Sequence, residues 1–165
     1  MMKKSDNLNI NKNIIVLAVM LVVAVFAFCA PQVQAAGTNS DMIDQVIALV
    51  NQERAKEGLA PLQRYDALGA AAQVRAEEIV EVQSHTRPNG QRGLKICDEY
   101  GIDYDCAGEN IAAGQTSAKE VVDDWMASPS HRENIMDPAF GHIGIGLVID
   151  SNGEYEYYWT QLFTD

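Results

Sequence analysis

The chain has 165 residues, 47% of them apolar and 21% charged, with 23 acidic against 12 basic side chains and a formal net charge of −11. That is the size and mix of one globular domain, and it excludes a disordered or collagen-like chain. No Lys/Arg block exists beyond the extreme N-terminus, so nothing here would neutralise a phosphate backbone, and DNA and RNA are not expected partners.

Lys3, Lys4 and Lys12 precede an unbroken apolar run from Ile14 to Ala30, followed by Pro31 and the small-residue boundary Val33-Gln34-Ala35-Ala36. This layout predicts a secretory signal peptide over residues 1–35, cleaved after Ala35, with a short linker over 36–40. The run is 17 residues long, the lower edge of the roughly 17 to 25 that cross a bilayer, so an uncleaved anchor is the one membrane attachment left open. Cys29 follows Phe28, where lipid attachment calls for a small residue, and is read as discarded with the signal. Without residues 1–35 the chain carries 9 basic and 22 acidic side chains, a net of −13. Such a charge favours solubility and a monomer that avoids polyanions. Cys97 and Cys106 then remain as the only cysteines, in a compartment that permits oxidation. A disulfide between them is expected, contributing about 2–3 kcal/mol by closing a short loop; the alternative is two free thiols. Zinc held by this pair is disfavoured, because the spacing is not C-x2-C and no second pair completes it.

From Asp41 to Glu57 the apolar residues Ile43, Val46, Ile47 and Val50 fall three and four apart, with Ser40 or Asp41 to cap and Gly58 to terminate, which predicts an amphipathic helix. After a connector over 58–64 containing Pro61, a second helix is expected from Asp66 to Val82, with Leu68, Ala72, Ile79 and Val82 on one face. Residues 84–108 hold Pro88, both cysteines and several glycines, and read as a long functional loop with room for a helical turn between Gly90 and Tyr100. Ser117-x-x-Glu120 is a capping box that opens a third helix through Val121, Val122 and Trp125, ending near Pro129. A short fourth helix is expected over Ser130 to Met136. Ile143, Ile145, Leu147 and Ile149 alternate, as do Tyr155, Tyr157, Trp159 and Phe163, and Asn152-Gly153 between them signals a hairpin. A third strand is placed near Ala107 to Ala113. Helices followed by a hairpin predict an α+β domain built on a small antiparallel sheet. Gly144 and Gly146 suggest close backbone packing against a helix.

Three side chains stand out for chemistry. His85 lies in Ser84-His85-Thr86-Arg87-Pro88-Asn89-Gly90, His131 in Ser128-Pro129-Ser130-His131-Arg132-Glu133-Asn134, and Glu109 in Ala107-Gly108-Glu109-Asn110-Ile111. A carboxylate among small and apolar neighbours needs a partner, which predicts a histidine or backbone donor facing Glu109. His142 is expected to begin a strand rather than join the site, and Trp125 and Trp159 to be core aromatics. Tyr155, Tyr157 and Tyr158 are expected on both faces of the last strand, at least one of them exposed. Ser84-His85 and Ser130-His131 are neighbours in sequence, but adjacent side chains diverge, so neither pair reads as a nucleophile with its base. No H-E-x-x-H helix is present.

These segments, together with Trp125-Met126-Ala127-Ser128 and Phe140-Gly141-His142-Ile143-Gly144-Ile145-Gly146, resemble the CAP superfamily or SCP domain, which includes cysteine-rich secretory proteins, insect venom antigen 5 and plant pathogenesis-related class 1 proteins. The resemblance covers residues 41–165 and is to the bacterial secreted branch. It implies an α-β-α sandwich with the sheet between helical layers. It also implies a cavity lined by His85, Glu109 and His131, with Asn110 beside Glu109, in which His85 and His131 hold a divalent metal such as zinc. The match departs at Ser128, which stands where eukaryotic members carry a second glutamate, and at the Arg132-Glu133-Asn134 run. Two imidazoles with Glu109 would resemble a His2Glu zinc centre; alternatively Glu109 only orients a histidine.

The resemblance therefore favours a secreted, non-catalytic recognition module that binds a peptide, an envelope component or a small apolar ligand. The alternatives are a metal-assisted hydrolase acting on peptide or cell-wall amide bonds, and a structural envelope or spore-surface protein held through its tyrosines and acidic face.

Overall fold

The computed structural model describes residues 38–165; the expected signal segment, its cleavage boundary and the start of the linker lie outside them. Helix α1 (Asn39–Lys56) starts two residues earlier than periodicity suggests. Thr38 is its cap: the Thr38 hydroxyl accepts from the Asp41 N–H and the Asp41 carboxylate accepts from the Thr38 N–H, a reciprocal capping box. Val46 and Val50 face the core and are fully buried. Arg54, one turn further on, is buried with them, its guanidinium donating to the carbonyls of Ala60, Ile135 and Asp137 at 2.8–2.9 Å. Two of those carbonyls lie at the C-terminal end of the helix over Pro129–Met136, where helix carbonyls lack partners and a cation is favoured.

The connector after α1 contributes a strand the sequence reading did not foresee. Asn51 pins it by donating to the Leu62 carbonyl and accepting from the Leu62 N–H. The next two residues form β1 (Gln63–Arg64), which runs parallel to the strand over His142–Ile149. The sheet is therefore mixed rather than purely antiparallel. Helix α2 (Asp66–Glu81) follows, then a 3-10 turn (Gly93–Lys95) leading into α3 (Ile96–Glu99), and strand β2 (Ala107–Ala113). Val82 falls past the end of α2 and is 46% exposed instead of sharing its buried face.

Helix α4 (Ala118–Ala127) is capped by Ser117, which accepts from the Glu120 N–H; Glu120 reaches back to Thr116 rather than to Ser117 itself. Helix α5 (Pro129–Met136) begins on Pro129, whose missing N–H costs nothing at a first-turn position. Strands β3 (His142–Ile149) and β4 (Tyr157–Thr164) form the expected hairpin with Ile149 opposite Tyr157, so its loop spans residues 150–156 and not Asn152-Gly153 alone. Tyr155 thus lies in the loop, exposed, whereas Tyr158 is buried in the strand with its hydroxyl accepting from the Tyr155 N–H.

The strand order is β1-β3-β4-β2. Two-residue periodicity sorts the side chains onto two faces. Ile143, Ile145, Leu147, Trp159 and Phe163 join residues of α1, α4 and α5, including Val46, Val50, Val121, Trp125 and Ile135, in the larger core. On the opposite face Leu162 packs with Leu68, Ala71 and Ala72 of α2 and with Ile96 and Cys97 of α3. There β3 presents Gly144 and Gly146, and α2 lies directly on them: a Cβ at Gly146 would stand 2.1 Å from the Ala72 carbonyl oxygen, and one at Gly144 2.3 Å from the Leu68 carbonyl carbon. The result is a sheet between two helical layers, as an α-β-α sandwich requires.

The two cysteines belong to different layers, and the expected disulfide is not formed in this structure. Cys97 is buried in the α2–α3 cluster, Cys106 packs against the larger core, and both are free thiols. Among the described residues no helix is long and apolar enough to cross a membrane.

Candidate functional site

The site is built on the outer strand of the sheet. Glu109 and Asn110 are successive residues of β2, so they point to opposite faces. Glu109 faces α2 and the loop before the 3-10 turn, whereas Asn110 faces α5. The sequence reading placed both in one cavity; the pleat divides them.

On the first face Glu109 is 4% exposed and both of its oxygens are engaged. Oε1 accepts from Nε of Arg75 at 2.7 Å and Oε2 contacts Nδ1 of His85 at 2.7 Å. Arg75 is itself fully buried in the middle of α2, and its remaining donors reach Glu78 and the Ser84 carbonyl. The predicted need for a partner to Glu109 is met twice, by a histidine and by a guanidinium. Gly93 sits directly above the carboxylate: a Cβ there would lie 2.5 Å from Oε2, so the turn closes over Glu109 only because residue 93 has no side chain.

The loop that carries His85 is anchored from inside. Thr86 bridges to Arg92, and the Gly93 N–H donates to the His85 carbonyl at 2.7 Å. Pro88 and Gly90 sit in the turn closed by the Gly90 N–H on the Arg87 carbonyl. Arg87 points inward, buried, and pairs with Glu78 and Glu99. These pairs hold its guanidinium firmly protonated, against its burial. Glu78 is pushed up by burial, but its bonds to Arg87 and Arg75 prevail and leave it below the usual carboxylate range. A continuous chain of alternating charges therefore runs Glu99, Arg87, Glu78, Arg75, Glu109 and ends at the His85 imidazole. Arg75 and Glu78 were missed in the sequence reading, and Arg87 was seen only as part of a motif. A signal existed for Arg75, which falls on the same helical face as Leu68, Ala72 and Ile79.

A carboxylate only accepts, so Nδ1 of His85 carries the proton and Nε2 is left as the lone pair of the neutral ring. The side chain is 61% exposed. The Glu109 hydrogen bond raises its affinity for a second proton, overcoming partial burial and the charge of Arg75. The imidazole edge opens on a cleft of about 250 Å³ lined by His85, Arg92, Gly93, Leu94, Ala107, Gly108 and Glu109. A second hollow of about 220 Å³ shares Arg92, Leu94 and Ala107 with it and ends at Lys95 and Tyr104.

His131, Asn110 and Ser128 are not in that lining. His131 is half-buried on α5, and its backbone carbonyl accepts from Asn110, whose amide also donates to Gln161 in the core. Burial pushes the His131 imidazole below its usual range and the charge of His85 adds to the effect, so the two rings interact electrostatically around the edge of β2. Ser128 joins α4 to α5, with its hydroxyl 3.4 Å from that of Ser130. The Ser84 hydroxyl accepts from the Thr86 N–H. Neither serine–histidine neighbour pair is hydrogen-bonded through its side chains among the described residues. His142 begins β3 as expected, with Nδ1 on the Asp165 carbonyl.

A His2Glu metal centre does not fit this geometry. Both Glu109 oxygens are committed, one of them to a buried guanidinium whose positive charge opposes a cation at the same place. Among the described residues no group of three or more His, Cys, Asp or Glu side chains is arranged to hold a metal ion. Glu109 instead has the role of an orienting partner that fixes the tautomer of His85.

Comparison with known proteins gives this architecture its place. Residues 47–163 match the family model of the cysteine-rich secretory protein family, CAP. A Bacillus subtilis protein, YkwD, is 40% identical over 121 residues, which is 72% of this chain and 45% of the relative. The membrane protein YlbC of the same organism is 30% identical over 105 residues, 62% of this chain and 30% of the relative. The chain thus spans less than half the length of these curated relatives. Among solved structures, an outer surface protein of Borrelia burgdorferi matches with a TM-score of 0.69 and 24% identity, over 78% of this chain and 95% of that one. An extracellular SCP-domain protein of Bacillus anthracis matches with a TM-score of 0.66 and 22% identity, over 79% and 45% respectively. Fold, edge-strand glutamate, oriented histidine and family match agree: the chain belongs to the cysteine-rich secretory protein (CAP) family.

Proposed function

We propose that this protein is an exported recognition module that binds an extracellular peptide, envelope component or small apolar ligand in the cleft beside His85, without catalysing a reaction. The observation that carries this reading is His85 itself. Its ring is exposed at a cleft and held in one tautomer by a buried carboxylate, yet among the described residues no hydroxyl or thiol is hydrogen-bonded to it as a nucleophile. Orientation without a nucleophile suits binding better than acyl transfer. Export through an N-terminal signal accords with the extracellular and outer-surface proteins of the same fold.

The oriented imidazole also favours one competing reading, metal-assisted hydrolysis of peptide or cell-wall amide bonds. The purified protein, assayed with and without added zinc on a panel of peptides and peptidoglycan fragments, separates the two. Recognition predicts saturable binding of at least one panel member, weakened by His85→Ala, with no metal-dependent turnover. Turnover lost in His85→Ala and His131→Ala would replace it with the hydrolase reading.

A further inference from the structure

Residues 38–165 hold nine basic side chains against twenty-two acidic ones. Seven of the nine are ion-paired, Lys95 with Asp98 among them. Arg54 is buried on backbone carbonyls. Among the described residues only the Arg92 side chain has neither a carboxylate nor a carbonyl partner. With more than two carboxylates per cation, partners are not scarce, so the position of Arg92 is informative. It stands in the wall shared by the two hollows, exposed, between His85 at one end and Lys95 and Tyr104 at the other. The one carboxylate in the lining, Glu109, has both oxygens committed to Arg75 and His85. The cleft of a strongly acidic domain thus offers one unpaired guanidinium, with the Lys95–Asp98 ion pair and Tyr104 beyond it.

We infer that the Arg92 side of this cleft is an oxyanion subsite, taking a carboxylate or phosphate group carried by the ligand. A planar guanidinium with parallel N–H donors suits a two-oxygen acceptor. The net negative charge of the rest of the surface disfavours anions elsewhere, so saturable anion binding reports this cleft. The inference rests on the recognition reading and names the chemistry at one end of its groove.

The test is a two-dimensional amide NMR titration of the purified protein at constant ionic strength. Three probes are used: inorganic phosphate, an acetylated tripeptide with a free C-terminal carboxylate, and the same tripeptide amidated. The proteins compared are wild type, Arg92→Gln, Arg92→Lys and His85→Ala. Arg92 is exposed, so its variants are expected to fold, and thermal unfolding checks this. At least one anionic probe is expected to bind saturably, shifting Gly93, Leu94 and Ala107. Arg92→Gln should lose at least tenfold in affinity and Arg92→Lys less. Phosphate binding alone assigns a phosphate-bearing ligand; binding of the free-acid peptide but not the amide assigns a carboxylate. Equal binding of acid and amide peptides, unchanged affinity in Arg92→Gln, or no saturable anion binding overturns the subsite. Amide binding that is lost only in His85→Ala would leave the recognition reading standing without it.

Discussion

Arg75 and Glu109 show how much a single buried ion pair can determine. Each is nearly inaccessible, and each would be a severe liability alone. Arg75→Met is expected to destabilise the protein by about 3–5 kcal/mol, because it leaves Glu109 and Glu78 without their shared cation; a urea-unfolding midpoint within error of wild type would refute this. The two histidines are predicted to titrate apart. The Glu109 bond raises His85 and burial lowers His131, so NMR should find the His85 midpoint above that of His131, with Glu109→Gln bringing His85 down. The linkage signs are opposite. His85 adds stability that is complete below about pH 6.5, the unfolded value, and lost as pH rises through its folded value. His131 adds stability that is complete above about pH 6.5, the unfolded value, and lost as pH falls through its lower folded value. Because the His85 side chain is 61% exposed, solvent screening keeps its contribution small. Wild type should nevertheless gain over His85→Asn at pH 5 relative to pH 8.

The packing of α2 on β3 turns two absent side chains into an architectural requirement. The atoms nearest a Cβ at Gly144 or Gly146 belong to the backbone of α2, so no rotamer change can relieve the clash. Gly146→Ala is expected to cost about 3 kcal/mol or more, at the upper end of overpacking, and to lower Tm by about 10 °C or more. Gly69, within α2, has open space where a Cβ would go, and Gly69→Ala should stabilise by about 0.5–1 kcal/mol through helix propensity. Opposite signs in one calorimetric comparison would support the packing; a tolerated Gly146→Ala would contradict it. Most of this element order was legible beforehand. The helices announced themselves by apolar spacing and the capping serine, and β3 and β4 by alternation. Two features were not: β1, because two residues leave no period to detect, and the length of the hairpin loop, because Asn152-Gly153 signals a turn without setting where pairing resumes.

Across the whole domain, the division into two layers has a chemical consequence for the thiols. Burial pushes Cys97 up to about 11, so neither its accessibility nor its ionisation favours reaction. In the native protein a thiol reagent should modify Cys106 well before Cys97, with both reacting in denaturant, and a reductant should leave Tm unchanged. Rapid loss of both thiols on mild oxidation without unfolding would restore the expected disulfide. The expected pairing rested on two cysteines in a compartment that permits oxidation, which says nothing of the layer in which folding places each. Cys97 is committed to α3 and the α2 layer, whereas Cys106 leads into β2 on the side of the larger core.

Local order in the amino-acid sequence was enough to identify the helices, the hairpin, the family resemblance and the unusual carboxylate at Glu109, since each depends on periodicity or on residues that are neighbours along the chain. Folding was needed to separate Glu109 from Asn110, to bring Arg75 and His85 from opposite directions onto one carboxylate, and to leave Arg92 unpaired in a cleft. The reason is physical: spacing dictates which face of an element a side chain occupies, but charges find their partners through space, and no local pattern records which distant element arrives to supply them.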